Sequence, residues 1–256
     1  MEVLEIRDAS DTDFHFPDNL SFFAPYLQYH IREVLGVGGE AYVSWTSEGA
    51  VSGAFIYDGF ERGGTIYTRS RKVFDYFYAL KPFSFLFAEM ATEHENEVYD
   101  IYTVDLESYP SAHRFSHEIS MAEEGDVNEI ERFMAETHPG INRRWARVAL
   151  KNGDRCLTVR LGDEISGLGW LSLVNGIGRL HSLYVKPRFR RIGIGEDILN
   201  ARLLWLRSNH ARTAFSEISR DNTASSSLAL RSHMRVFGQV FQYRSLGVST
   251  RLPAIT

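Results

Sequence analysis

Eight residues constrain this chain more than any other stretch. Residues 188–195 read RFRRIGIG, between the strand-like run LHSLYV and the run EDILNARLLWLR. The latter spaces its apolar residues as an amphipathic helix does, at Ile198, Leu199, Ala201, Leu203, Leu204 and Leu206. A helix start leaves about four backbone N–H groups unpaired and carries partial positive charge, a combination that binds phosphate oxygens. Backbone approaches such a ligand closely only where side chains are absent, and Gly193 and Gly195 remove them. Arg188, Arg190 and Arg191 add attraction at longer range and bidentate donors. Other phosphate loops fit worse, because no Lys-Ser/Thr pair follows the glycines and GIGEDI lacks the third glycine of a dinucleotide fingerprint.

Around this turn the pattern predicts an α/β chain with mostly antiparallel pairing. A strand near 116–121 leads to a helix over 126–137 and a second over 141–151. CLTVRLGDEISGLGWLSLVNG then reads as a hairpin turning at Gly162-Asp163. After the strand GRLHSLYV and the helix over 194–208 come the strand TAFSEIS and a short helix over 223–233. The strands VFGQVFQYRSL and GVSTRL end the chain. The first half echoes this order: AYVSWTSEGAVSGAFIYDG is the hairpin, GTIYTRS the strand and KVFDYFYAL the helix, without a glycine pair between the last two. Either a duplicated unit has lost its loop in the first copy, or hairpin, strand and helix recur by chance. The proline and small polar residues of ESYPSAHRFSHE (107–118) mark the boundary, giving an α/β domain over 1–112 and a second over 116–256.

Charge separates the same halves. Residues 1–115 hold 8 Lys+Arg against 19 Asp+Glu, and residues 116–256 hold 20 against 14. The halves either have different tasks or simply dock through opposite charge. A nucleic-acid partner is disfavoured, since the arginines gather at one loop rather than along a face. No run of about 18 apolar residues exists, so no membrane span is expected. MEVLEIRDASDTDF does not read as a signal peptide, which makes the cytoplasm the default location. Cys156 is the single cysteine, and the nine histidines show no metal-ligand spacing, so no metal is expected.

The run VKPRFRRIGIGE, with Val185, Pro187, Arg190, Gly193 and Gly195, resembles the acyl-CoA signature of the GNAT superfamily of N-acyltransferases. The resemblance covers about 116–246 and includes RDNTASSS, where the family commonly has an asparagine between strand and helix. It implies a mixed, mostly antiparallel twisted sheet flanked by helices, with the N-terminal half a smaller, degenerate GNAT-like copy or another α/β domain. It also implies acetyl-CoA as acyl donor, with the backbone of Arg191, Ile192, Gly193, Ile194, Gly195 and Glu196 on its pyrophosphate. Leu183, Tyr184 and Val185 would pair with the pantetheine arm, and Asn222 would hydrogen-bond it.

An amine acceptor arrives protonated, so acyl transfer needs a base. Strand alternation would put Arg179, His181, Leu183 and Val185 on one face. His181 stands where several GNAT members carry a proton-transfer residue, and its alternative is a packed or solvated histidine. Glu217, five residues before Asn222, resembles the place of a second acid–base residue in protein N-terminal acetyltransferases; its alternative is a surface glutamate. One departure stands out: Ala229 occupies the position where the family usually presents a tyrosine to the leaving thiolate, which leaves water or another hydroxyl such as that of Tyr184. The aromatic runs 74–87 and 21–29 read as core, or as the lining of an acceptor groove, and HPGINRRW (138–145) as a loop shaping the acceptor site. The resemblance leaves the acceptor open among a small amine, an antibiotic, a polyamine, and a protein lysine or N-terminus. The rival reading is an acyl-CoA-binding sensor without turnover; a third is a tandem acyltransferase on aminoacyl-tRNA, which the acidic first half disfavours.

Overall fold

Residues 2–6, 27–36, 38–59, 62–92, 97–137 and 145–244 are described by the computed structural model. The expected loop at 138–144, the terminal strand at 247–252 and part of the first aromatic run (21–26) lie outside them. The chain divides into two compact units, Met1–Tyr99 with Gln239–Thr256, and Asp100–Gly238.

In the first unit, β1 (Glu2–Ile6), α1 (Leu27–Gly36), β2 (Glu40–Trp45), β3 (Val51–Asp58), β4 (Gly63–Tyr67), α2 (Arg71–Leu80) and β5 (Phe85–Ala88) follow in order. β2–β3 is the hairpin read from the sequence, in antiparallel register from Glu40↔Tyr57 to Trp45↔Val51, and β4 pairs β5 in parallel. α2 begins where Ser70 Oγ accepts from Val73 N–H at 3.4 Å. The run 74–87 supplies core: Phe74, Phe77, Phe83 and Leu86 are buried with Tyr42, Phe55 and Tyr57.

The second unit carries the glycine turn. Its elements are the later part of β6 (Glu97–Asp105), β7 (Ser120–Met121), α3 (Val127–Thr137), α4 (Trp145–Lys151), β8 (Arg155–Leu161), β9 (Glu164–Val174), β10 (Ile177–Val185), α5 (Ile194–Ser208), β11 (Thr213–Ser219), α6 (Thr223–Arg231) and the start of β12 (Arg235–Arg244). Its sheet runs β6-β11-β10-β9-β8-β7; β7–β8, β8–β9 and β9–β10 are antiparallel and β10–β11 is parallel. One face packs on α5, with Leu157, Leu171, Leu180, Leu199 and Leu203 in one cluster. The other packs on α3 and α4, with Ile130, Phe133, Ala149, Leu168 and Trp170 in another. Glycines let α5 settle close to the sheet. A methyl group on Gly167 would stand 2.7 Å from Ile194 Cγ2, and one on Gly169 would stand 2.7 Å from Ile198 Cγ2.

Candidate active site

The turn between β10 and α5 has an unusual backbone course. Arg191 and Gly193 both lie in the left-handed region, at φ 68° and 95°, and Gly193 is the residue that precedes the first turn of α5. Left-handed residues alternating with right-handed ones turn successive N–H groups to one side, which forms a concavity for anions. Gly193 is required by its backbone angle. Gly195 is not: it is helical, and a methyl group there would meet Leu228 Cδ2 and Val185 Cγ2 at 3.7 Å, an ordinary contact. Nothing in the packing of the described residues asks for glycine at 195, which leaves clearance for something approaching from outside.

The arginines divide their roles. Arg188 is bound to Glu164 and holds that carboxyl below the usual range. Arg190 donates from Nε to Val185 O at 3.0 Å and lies over the Tyr184 ring at 5.2 Å, bracing the strand end. Arg191 and Ile192 are exposed at the tip.

Beside the turn the sheet opens. β10 and β11 pair at Ile177↔Thr213, Gly178↔Ala214 and Arg179↔Phe215, and there their ladder ends although both strands continue. On its other edge β10 carries a bulge, because His181 pairs with Trp170 and the next pair is Tyr184 with Leu168. Ser182, at φ 49°, absorbs the extra residue. The bulge corrects the expected alternation. His181 and Tyr184 face the α3–α4 side, where Trp145, Trp170 and Phe133 contact them, whereas Leu183 and Val185 pack toward Ile194 and Ile198 of α5. His181 therefore does not share a face with Leu183 and Val185.

His181 sits in a box. Its ring stacks on Trp170 at 6.5 Å and meets Trp145 edge-on at 5.5 Å. Nδ1 is 3.4 Å from Ser182 Oγ, and Nε2 is 3.8 Å from Oδ2 of Asp154. Its carbonyl accepts from Nη1 of Arg202 at 3.1 Å, and the same nitrogen donates to Trp170 O at 2.9 Å. Burial pushes the Arg202 guanidinium down to about 9. Asp154, Trp170 and Arg202 are not marked by the sequence, and Trp145 is marked only as the last residue of the run 138–145. Asp154 lies in the short connection between α4 and β8, Trp145 opens α4, Trp170 sits in β9 and Arg202 in α5, and only the packing of these elements brings them to His181.

Glu217 faces Arg179, with Nη2 to Oε1 at 3.0 Å and Nε to Oε2 at 3.3 Å, so its carboxylate is neutralised in this state. Asn222 caps α6, its Oδ1 accepting from Ser225 N–H at 3.1 Å, while its Nδ2 makes no hydrogen bond among the described residues. Ala229 is 1% exposed, inside the cluster of Leu199, Leu203 and Met234, where a phenol has no room. The described residues contain no group of three or more His, Cys, Asp or Glu placed to hold a metal, and no helix among them is long and apolar enough to cross a membrane.

The family model of the GNAT acetyltransferases matches residues 96–233, more than half of the chain and the whole of this site. The chain belongs to the GNAT acetyltransferase family. No curated protein matches it. Among solved structures, the GNAT fold here is similar to a GCN5-related N-acetyltransferase from Sphaerobacter thermophilus, at 14% identity and TM-score 0.59 over 80% of each chain. It is also similar to a tandem GNAT protein from the clavulanic acid biosynthesis pathway, at 12% identity and TM-score 0.59 over 95% of this chain and 98% of that one. A GNAT-family acetyltransferase from Colwellia psychrerythraea aligns over 95% and 99% at TM-score 0.56 and 9% identity. At such identities these likenesses concern the fold alone. They agree with a mixed, mostly antiparallel GNAT sheet flanked by helices.

Proposed function

We propose that this GNAT protein transfers an acetyl group from acetyl-CoA to a primary amine by direct attack. The observation that carries the reading is the juxtaposition of the glycine turn with the end of the β10–β11 ladder. The backbone of residues 191–196 would take the pyrophosphate, with Gly195 giving clearance. The pantetheine arm would enter where β10 and β11 stop pairing, along Leu183 to Val185 and toward the Nδ2 of Asn222. Backbone N–H groups at the Ser182 bulge, out of register with β9, are the donors available to a developing oxyanion. The amine nitrogen attacks the thioester carbon, the C–S bond breaks, and the proton shed by nitrogen passes to His181. The thiolate takes its proton from water, because Ala229 offers no hydroxyl. Glu217, neutralised by Arg179, is in this reading a group that lines the acceptor side rather than a second base.

Under the same reading the first unit is a degenerate copy. Its β2-β3-β4-α2-β5 order, antiparallel twice and then parallel, repeats β8-β9-β10-α5-β11 without a glycine turn. Residues 1–112 and 116–256 remain the proposed domains, in a protein of the cytoplasm. The second reading, a CoA-binding module without turnover, is favoured by the buried Ala229 in place of a hydroxyl.

Thiol release from acetyl-CoA, measured against small amines, aminoglycosides, polyamines, lysine peptides and N-terminal peptides, separates the two. Calorimetric CoA titration is run in parallel. Acceptor-dependent release is expected. CoA binding with no release on any acceptor supports the module, and absence of CoA binding removes both readings.

A further inference from the structure

Asp154 is a carboxylate of the second unit that no part of the proposed reaction uses. It lies just before β8, 1% exposed, its backbone N–H donating to Ala149 O at 2.9 Å. A buried carboxylate is costly unless it meets an opposite charge or donors. Its Oδ2 is 3.8 Å from Nε2 of His181, an electrostatic separation rather than a hydrogen bond in this state. The ring cannot swing away easily, because Trp170 stacks on one side and Trp145 closes the edge.

We propose that Asp154 is a positioning residue: it holds the His181 proton on Nε2 and leaves Nδ1, beside the Ser182 hydroxyl, as the basic nitrogen of the site. This rests on the reading of His181 as the base. A carboxylate beside one ring nitrogen favours the N–H tautomer on that nitrogen and stabilises the imidazolium once the other has taken a proton. Among the described residues, the other charges around the ring do not take its place. Arg202 on α5 contacts the His181 carbonyl rather than the ring, and its positive charge acts against protonation. Arg179, on β10 itself, is matched by Glu217 of β11. The Cys156 thiol of β8 is pushed up by burial and stays neutral. Arg155 turns back to the carbonyl of Asp154, at 3.1 Å, not to its carboxylate.

The test is a nitrogen-15 and carbon-13 NMR titration of His181 in the full-length protein, in wild type and in Asp154→Asn and Asp154→Ala. Wild type is expected to show the Nε2–H tautomer. In Asp154→Asn the amide oxygen still lies toward Nε2–H without the charge, so the tautomer stays while the lost charge lowers the His181 pKa by about one unit, a tenfold change. In Asp154→Ala the tautomer preference goes as well. The acid limb of kcat/KM on the best acceptor moves to lower pH in parallel with the pKa, whereas a merely structural role would lower the rate and leave the limb in place. An Nδ1–H tautomer in wild type, or an unchanged pKa in a folded Asp154→Asn protein, overturns the proposal. Should neither variant fold, the wild-type tautomer alone decides it. The titration needs no turnover, so failure of the acetyl-transfer reading shows in the thiol assay and not here.

Discussion

Gly193 and Gly195 look alike in the sequence and differ in physical reason. At 193 the backbone angle of 95° strains any L residue by about 1–2 kcal/mol, so a substitution there perturbs the turn itself. At 195 the angle is helical and a methyl group fits, so the fold tolerates alanine. Gly→Ala within a helix is worth up to about 1 kcal/mol of stability. Gly195→Ala should therefore leave Tm unchanged or raise it, while weakening CoA binding at least tenfold because the methyl occupies the ligand's approach. Thermal unfolding and calorimetric titration read the two effects separately. A variant that binds CoA as tightly as wild type would remove the clearance argument and with it the reason for glycine at this position.

Among the elements, those governed by local pattern were legible and those governed by long-range contact were not. The helix over 194–208, the strand TAFSEIS and the turn at Gly162-Asp163 were all read from spacing and turn chemistry, because each is decided within its own residues. The β10 bulge was not, since LHSLYV alternates acceptably either way and only pairing with β9 reveals the extra residue at Ser182. The error propagated by one step and put Leu183 and Val185 on the His181 face. Asp154 was invisible for the same reason: nothing between Gly153 and Arg155 says that the loop delivers a carboxylate to β10. Glycine is a weak strand former, yet the glycines of β9 set how closely α5 packs. Gly169→Ala should cost about 1–3 kcal/mol by overpacking, with Ile198 Cγ2 at 2.7 Å and the Arg202 guanidinium carbon at 3.1 Å from the added methyl. Because Arg202 also holds the carbonyls of Trp170 and His181, the same variant should lose turnover beyond its loss of stability. Urea unfolding alongside initial rates at a temperature where the variant is fully folded checks both. Wild-type stability in Gly169→Ala would mean that α5 has slack the packing does not show.

At the scale of the whole molecule, chain order and compact units disagree in an instructive way. Composition changes at 107–118, whereas the units change over at Tyr99/Asp100, and the chain returns to the first unit at Gln239. A contiguous reading has no means of seeing that return, because β12 shows only a strand pattern and its partner lies far back in the sequence. The returning residues pair antiparallel with β5, from Phe241↔Ala88 to Arg244↔Phe85. Tyr243 is fully buried there, its ring 5.6 Å from Phe74 and 5.8 Å from Tyr78, its hydroxyl donating to Met90 O. Removing such an aromatic from a core costs about 3–5 kcal/mol. Tyr243→Ala should thus destabilise the first unit by that order, although the substitution lies near the end of the chain. The glycine turn, the bulge and His181 all belong to the second unit, and among the described residues its core clusters share no residue with the cluster around Tyr243. CoA affinity measured by calorimetry at low temperature should accordingly stay within about twofold of wild type, while chemical denaturation shows an early loss of part of the structure. If instead Tyr243→Ala unfolds in a single transition and loses CoA binding in step with it, the two units are one cooperative structure, and the first unit is a stabilising part of the site rather than a separable copy.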